Sequence, residues 1–179
     1  YKRQPSDPPR AHAAPPDPAG SPRLTPPQAR HASIPMPRSL RDLPKCELHI
    51  HLEGAMRSST LSELCAKHSV DVPEDTRGKM YDNFDAFACA YRAACECLRE
   101  RDDVFRVVRE HLEDAVAAGC AWVEVAPSLL LWCQRFDGLE ATVLLLLEAA
   151  AAAEDAVGGK AACAYIFSAE RHEPPENAV

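Results

Sequence analysis

Three short runs rich in β-forming residues, separated by long helical stretches, limit the folds open to this chain. The runs are "KCELHIHL" from Lys45, "CAWVEVAP" from Cys120 and "KAACAYIF" from Lys160. In the first, Cys46, Leu48, Ile50 and Leu52 alternate with Glu47, His49, His51 and Glu53, the period-two pattern of a strand. Gly54 then breaks the pattern. Between the runs, apolar residues recur at helical spacing. Leu61, Leu64 and Cys65 do so after an N-cap at Ser58 or Ser59. Phe84, Phe87, Ala88, Tyr91, Cys95 and Leu98 follow a loop containing Pro73 and Gly78. Val104, Val107, Val108, Leu112, Ala115 and Val116 then form a stripe capped by Asp102 or Asp103, with Gly119 at the left-handed C-cap. A further helix from Leu139 to Val157 carries Leu and Ala on nearly every face, as a buried helix does. Strands alternating with helices predict a parallel sheet of consecutive β/α units.

Three such units occupy about 140 residues. An eight-stranded β/α barrel takes about 250. The expected fold is therefore α/β: the N-terminal three β/α units of a (β/α)8 TIM-type barrel, incomplete, with a small open sheet as the alternative. Residues 1–38 differ sharply. They hold 11 of the 16 prolines and six Lys or Arg, with little apolar periodicity. Such a segment cannot bury enough surface to offset its ordering entropy, so a disordered tail is expected over 1–38 and the folded domain over 39–179. The chain begins with Tyr1 and stops soon after the third run. Both ends are expected to be cuts in a longer sequence.

Composition narrows the functional classes. The net charge of -7 gives no general attraction to nucleic acid or anionic membrane. No run of about 18 apolar residues is free of charge, so no membrane span is expected. The eight cysteines lie scattered in apolar stretches with no CxxC pair. They are expected to be buried, reduced thiols in a reducing, cytoplasmic compartment.

The chemistry concentrates in "LPKCELHIHLEGAMR". Residues two apart on a strand point the same way, so His49 and His51 are expected side by side. Two neutral imidazoles can share one zinc ion, which makes a coordinated water acidic near neutral pH. A catalytic site needs at least one more protein ligand. The bland alternative is a pair of polar residues on an exposed edge. Position favours the first reading, because barrel active sites lie at the carboxyl ends of the strands. Glu124 shares a strand face with Trp122 and is expected to be structural. Arg171 and His172 sit at the end of the third strand, where they could serve the pocket or a local ion pair. His68 and His111 lie on helices and are expected at the surface.

The long motif resembles the first-strand motif of the adenosine deaminase family, including its adenine deaminase branch. That pattern runs Leu-Pro-Lys, a short strand, His-x-His-Leu-Asp/Glu-Gly, a small residue and a helix. "SSTLSELCAKH", "YDNFDAFACAYR", "AAGCAWVEVAPS" and "ERHEPP" follow in the family's order. The resemblance implies a metal-dependent deaminase of the amidohydrolase superfamily, acting on a small purine nucleoside or base. It implies zinc ligands at His49 and His51, with His51 and Glu53 also against the substrate. Family members acting on adenosine often have Asp where Glu53 stands, so the longer side chain bears on the choice between adenosine, adenine and a modified nucleoside. The family's later motifs carry a third zinc histidine, a proton-shuttling glutamate, another histidine and an aspartate. No "HxxE" segment precedes Val179. The chain is therefore expected to be inactive alone, with no catalytic residue of its own assigned. Another amidohydrolase-type hydrolase, or a non-catalytic structural or binding protein, is the alternative.

Overall fold

A computed structural model of the chain describes residues 40, 43–72 and 80–168. The segment 1–38, the loop with Pro73 and Gly78, and Arg171 and His172 all lie outside the described residues. Strand β1 (Lys45–His51) leads through a single 3-10 turn (Glu53–Ala55) into helix α1 (Ser58–His68). Helices α2 (Phe84–Glu96) and α3 (Arg101–Ala118) precede strand β2 (Cys120–Ala126). A short helix α4 (Leu129–Cys133), helix α5 (Leu139–Ala156) and strand β3 (Ala162–Tyr165) complete the order. The strands form one parallel sheet in chain order, β1-β2-β3. Consecutive parallel pairing is what successive β/α crossovers produce. The expected parallel β/α arrangement is thus present as three strands with flanking helices.

The helices begin and end for local reasons. Asn83 caps α2 by accepting a hydrogen bond from the Ala86 N–H at 2.9 Å. Helix α3 starts two or three residues earlier than expected, at a capping box. The Glu100 side chain accepts from the N3 backbone, and the Asp103 side chain accepts from the Glu100 N–H at 2.9 Å. Helix α1 is entered from Arg57 with no side-chain cap, so neither Ser58 nor Ser59 plays that part. Gly119 ends α3 at φ 83°, as its position predicts. Its carbonyl accepts from the Lys45 N–H at 3.3 Å, tying the end of α3 to the start of β1.

The core lies between the sheet and the helices. Val104, Val107, Val108, Leu112 and Ala115 of α3 are buried there with Val123 and Val125 of β2. Leu145, Leu146, Ala149 and Ala153 of α5 join them. Leu144 and Leu147 remain about half exposed, so α5 is covered on one side only, not all round. His111 is 9 % exposed and the His68 side chain 8 %, against the expectation of surface residues. His68 is held by Asp103 at 2.7 Å. The Nε2 atom of His111 stops 3.6 Å from Glu47 and has no hydrogen-bond partner among the described residues. Burial pushes the His111 pKa down, with Glu47 and Asp114 opposing. All eight cysteines are free thiols, but Cys46 and Cys89 are exposed rather than buried.

Candidate functional site

Strand β1 departs from simple alternation at the histidines. Glu47 pairs with Val123 and Ile50 with Val125, so three residues on β1 span two on β2. The extra residue is accommodated at His49, whose φ is 61°. Such a left-handed residue is the mark of a bulge, a device common beside active sites. The bulge changes the faces. Ile50 joins Glu47, Val123 and Val125 on the helix side, while His51 opposite Ala126 joins Cys46 and Leu48 on the open side. The expected grouping of Cys46, Leu48, Ile50 and Leu52 on one face therefore does not hold.

The bulge nevertheless brings the two imidazoles together, with ring centres 5.5 Å apart and planes at 52°. Two imidazoles bound to one zinc at 2.0–2.1 Å in a tetrahedron would have ring centres roughly 5 Å apart. The observed 5.5 Å is close to that separation. No group of three or more His, Cys, Asp or Glu able to hold a metal occurs among the described residues. Both histidines are exposed and border an open depression of about 480 Å³, which extends to His111 and Asp114 of α3.

Glu53 sits one turn beyond, in the 3-10 turn, and is 1 % exposed. Each of its carboxylate oxygens accepts one hydrogen bond from the protein. The Tyr91 hydroxyl donates to Oε2 at 2.5 Å, and the Ser128 N–H donates to Oε1 at 2.8 Å. Tyr91 also lies 3.0 Å from the Ser128 hydroxyl and 3.4 Å from Nδ1 of His51. Burial first, then the charge of Glu53, pushes the Tyr91 pKa far up, so the phenol keeps its proton. Cys95, 3.9 Å from the Ser128 hydroxyl, is pushed up to about 12 by the same burial and charge. Each Glu53 oxygen keeps spare acceptor capacity. Burial, not lack of lone pairs, is what keeps a substrate from Glu53 unless Tyr91 or Ser128 moves aside.

Tyr91 and Ser128 are the members of this network that local sequence patterns do not single out. They are 38 and 75 residues from Glu53. One signal was available: Phe84, Phe87 and Tyr91 form an aromatic stripe along α2, with Phe87 stacked on Tyr91 at 6.1 Å. A tyrosine ending such a stripe brings a hydroxyl to whatever the stripe faces. Gly54 is not needed for the turn after β1. Its backbone is not left-handed, and an added Cβ would meet only Tyr91 at an ordinary 3.9 Å. Glu124 accepts from the Trp122 indole N–H at 3.3 Å, on the open side of β2.

The fold and site define an α/β chain of consecutive parallel β/α units with a bulged His-x-His pair at the carboxyl end of its first strand. The family model described as adenosine deaminase matches residues 44–178, and the chain belongs to the adenosine deaminase family. A provisionally named adenosine/adenine deaminase of Streptomyces virginiae is 36 % identical over 134 residues, covering 68 % of this chain and 38 % of that protein. An adenosine deaminase of Clostridium acetobutylicum is 25 % identical over 154 residues, covering 77 % of this chain and 43 % of that protein. The chain thus spans about two fifths of the length of these two relatives. Among solved structures, a Burkholderia ambifaria amidohydrolase with bound zinc superposes with a TM-score of 0.58 at 23 % identity, over 76 % of this chain and 38 % of that one. The adenine deaminase of Arthrobacter aurescens gives 0.54 at 22 %, over 69 % of this chain and 38 % of that one. These two likenesses speak to the fold.

Proposed function

We propose that the chain is the N-terminal part of a zinc-dependent deaminase. The reaction is hydrolysis of the exocyclic amine of a 6-aminopurine, adenosine or adenine, to the 6-oxo purine and ammonia. The observation that carries the reading is the His49–His51 pair, 5.5 Å between ring centres, at the carboxyl end of β1. It lies inside the stretch that matches the family. The zinc in the Burkholderia ambifaria structure supports the choice of metal.

In this reading His49 and His51 are two ligands of the metal, and bound zinc supplies the Lewis acid that makes water a nucleophile near neutral pH. His51 faces the purine as well as the metal. Glu53 acts from behind His51, where it holds Tyr91 and the Ser128 N–H and takes up a substrate donor when one of them moves aside. The pocket is that of a small purine nucleoside or base, and nucleic acid is not a partner. No helix among the described residues is long and apolar enough to cross a membrane. A cytoplasmic location is part of the proposal and rests on the eight free thiols.

The test is ammonia release from adenosine and from adenine by the protein expressed from its whole reading frame. Chelation of zinc, His49→Ala or His51→Ala should each abolish turnover. Unchanged turnover in both variants would remove the histidines from the site. The 179-residue chain alone should release no ammonia, because its described residues bring two ligands and no proton shuttle. Glu53→Asp in the whole protein should change the adenosine-to-adenine ratio of kcat/KM; an unchanged ratio removes Glu53 as the selector.

A further inference from the structure

We infer that Tyr91 is a positioning residue that fixes the tautomer of His51, so that Nε2 is the nitrogen offered to a metal. The inference deepens the proposed metal role of His51 and stands on proton accounting. The phenol has one proton. At 2.5 Å the contact with Glu53 Oε2 has the length of a hydroxyl donating to a carboxylate. That bond uses the proton. The Tyr91 oxygen is then an acceptor toward every other neighbour. Ser128 donates its hydroxyl proton to it at 3.0 Å. The remaining neighbour is Nδ1 of His51 at 3.4 Å, which can meet an acceptor only by carrying its own hydrogen. A neutral imidazole with hydrogen on Nδ1 has its lone pair on Nε2.

The other two contacts close the accounting without conflict. The Ser128 N–H goes to Glu53 Oε1, and the Cys95 thiol points to the Ser128 hydroxyl at 3.9 Å. Every proton in the cluster is used once. The Tyr91 ring is itself held in place, stacked on Phe87 and edge-on to His51 at 5.7 Å. Ligating histidines generally donate their second N–H to an oxygen, and loss of that partner typically lowers metal affinity 10–100-fold. His49 has no such oxygen among its described contacts, so the two imidazoles are not equivalent.

The tautomer can be read without any metal. Long-range ¹H–¹⁵N correlation of the imidazole rings in the metal-free full chain at a pH of about 8, above the usual imidazole value of about 6.5, distinguishes the two neutral forms. The His51 signals are assigned by their loss in His51→Gln. The expected result is the Nδ1–H form for His51, a shift toward a mixture in Tyr91→Phe, and no change in Ser128→Ala, which leaves Tyr91 an acceptor. His51 found mainly as the Nε2–H form overturns the inference with no variant needed, should Tyr91→Phe fail to fold. An unchanged tautomer in a folded Tyr91→Phe also overturns it. Zinc titration of the same samples is the second readout, with affinity expected to fall about tenfold or more in Tyr91→Phe. A wild-type chain that shows the Nδ1–H form but takes up no zinc at His51 refutes the proposed metal role and leaves the positioning role intact.

Discussion

At the scale of single residues, buried charge is handled by dense pairing. Asp103 is 1 % exposed and receives Lys67, His68 and the N–H groups of Arg99 and Glu100. Burial alone would raise its pKa, but Lys67, the Glu100 N–H, His68 and the Arg99 N–H together lower it. A lowered carboxylate contributes stability that is present above its unfolded value, near 3.8, and is lost as the pH falls through the folded value. Asp103→Ala should therefore cost about 2–3 kcal/mol at neutral pH, from the lost cap and ion pairs. The deficit should narrow below pH about 4, the ordinary carboxylate range. Urea midpoints across that range would check it; a deficit independent of pH would mean the charge plays no part. The residue scale was only partly legible in the sequence. The His49–His51 pair could be read directly, because its spacing is local. The burial of His111 and His68 has a signal in the sequence. His111 falls on the same three-and-four spacing as Val104, Val107, Val108, Leu112 and Ala115, and His68 on that of Leu61, Leu64 and Cys65. Position on the apolar stripe outweighs the usual exposure of histidine at both sites. The partners of Glu53 were not legible, because Tyr91 and Ser128 reach it only through tertiary folding.

At the scale of elements, strand and helix order followed from hydrophobic period, while the faces of β1 did not. The apolar residues Cys46, Leu48 and Ile50 alternate cleanly, yet the pairing with β2 inserts one residue at His49. A bulge depends on the partner strand, which a single run cannot report. The junction of α3 with β2 was readable because only glycine sits easily at φ 83°. Gly119→Ala should destabilise the chain by about 1 kcal/mol. Its midpoint in urea should drop without a change in slope; an unchanged midpoint would show that the cap contributes nothing. Short α4 is not legible in the sequence, because "SLLLWC" follows Pro127 with no caps and too few residues for a period.

At the scale of the whole molecule, the described sheet has helices over one face and apolar groups on the other. Leu48 is 61 % exposed, and Trp122 lies near it on the same open side. Strands β1 and β3 are both edges among the described residues. Open edges beside exposed apolar groups favour association between chains. The full chain should therefore self-associate with rising concentration in sedimentation velocity, and Leu48→Lys should shift it toward monomer. A concentration-independent monomer would contradict this. The central claim is that His49 and His51 together form one half of a metal site. Zinc titration of the metal-free full chain by calorimetry, beside His49→Ala and His51→Ala, addresses it most directly. One weak zinc per wild-type chain is expected, lost in either variant. Zinc binding that survives both substitutions, or a wild-type chain that binds none, would contradict it.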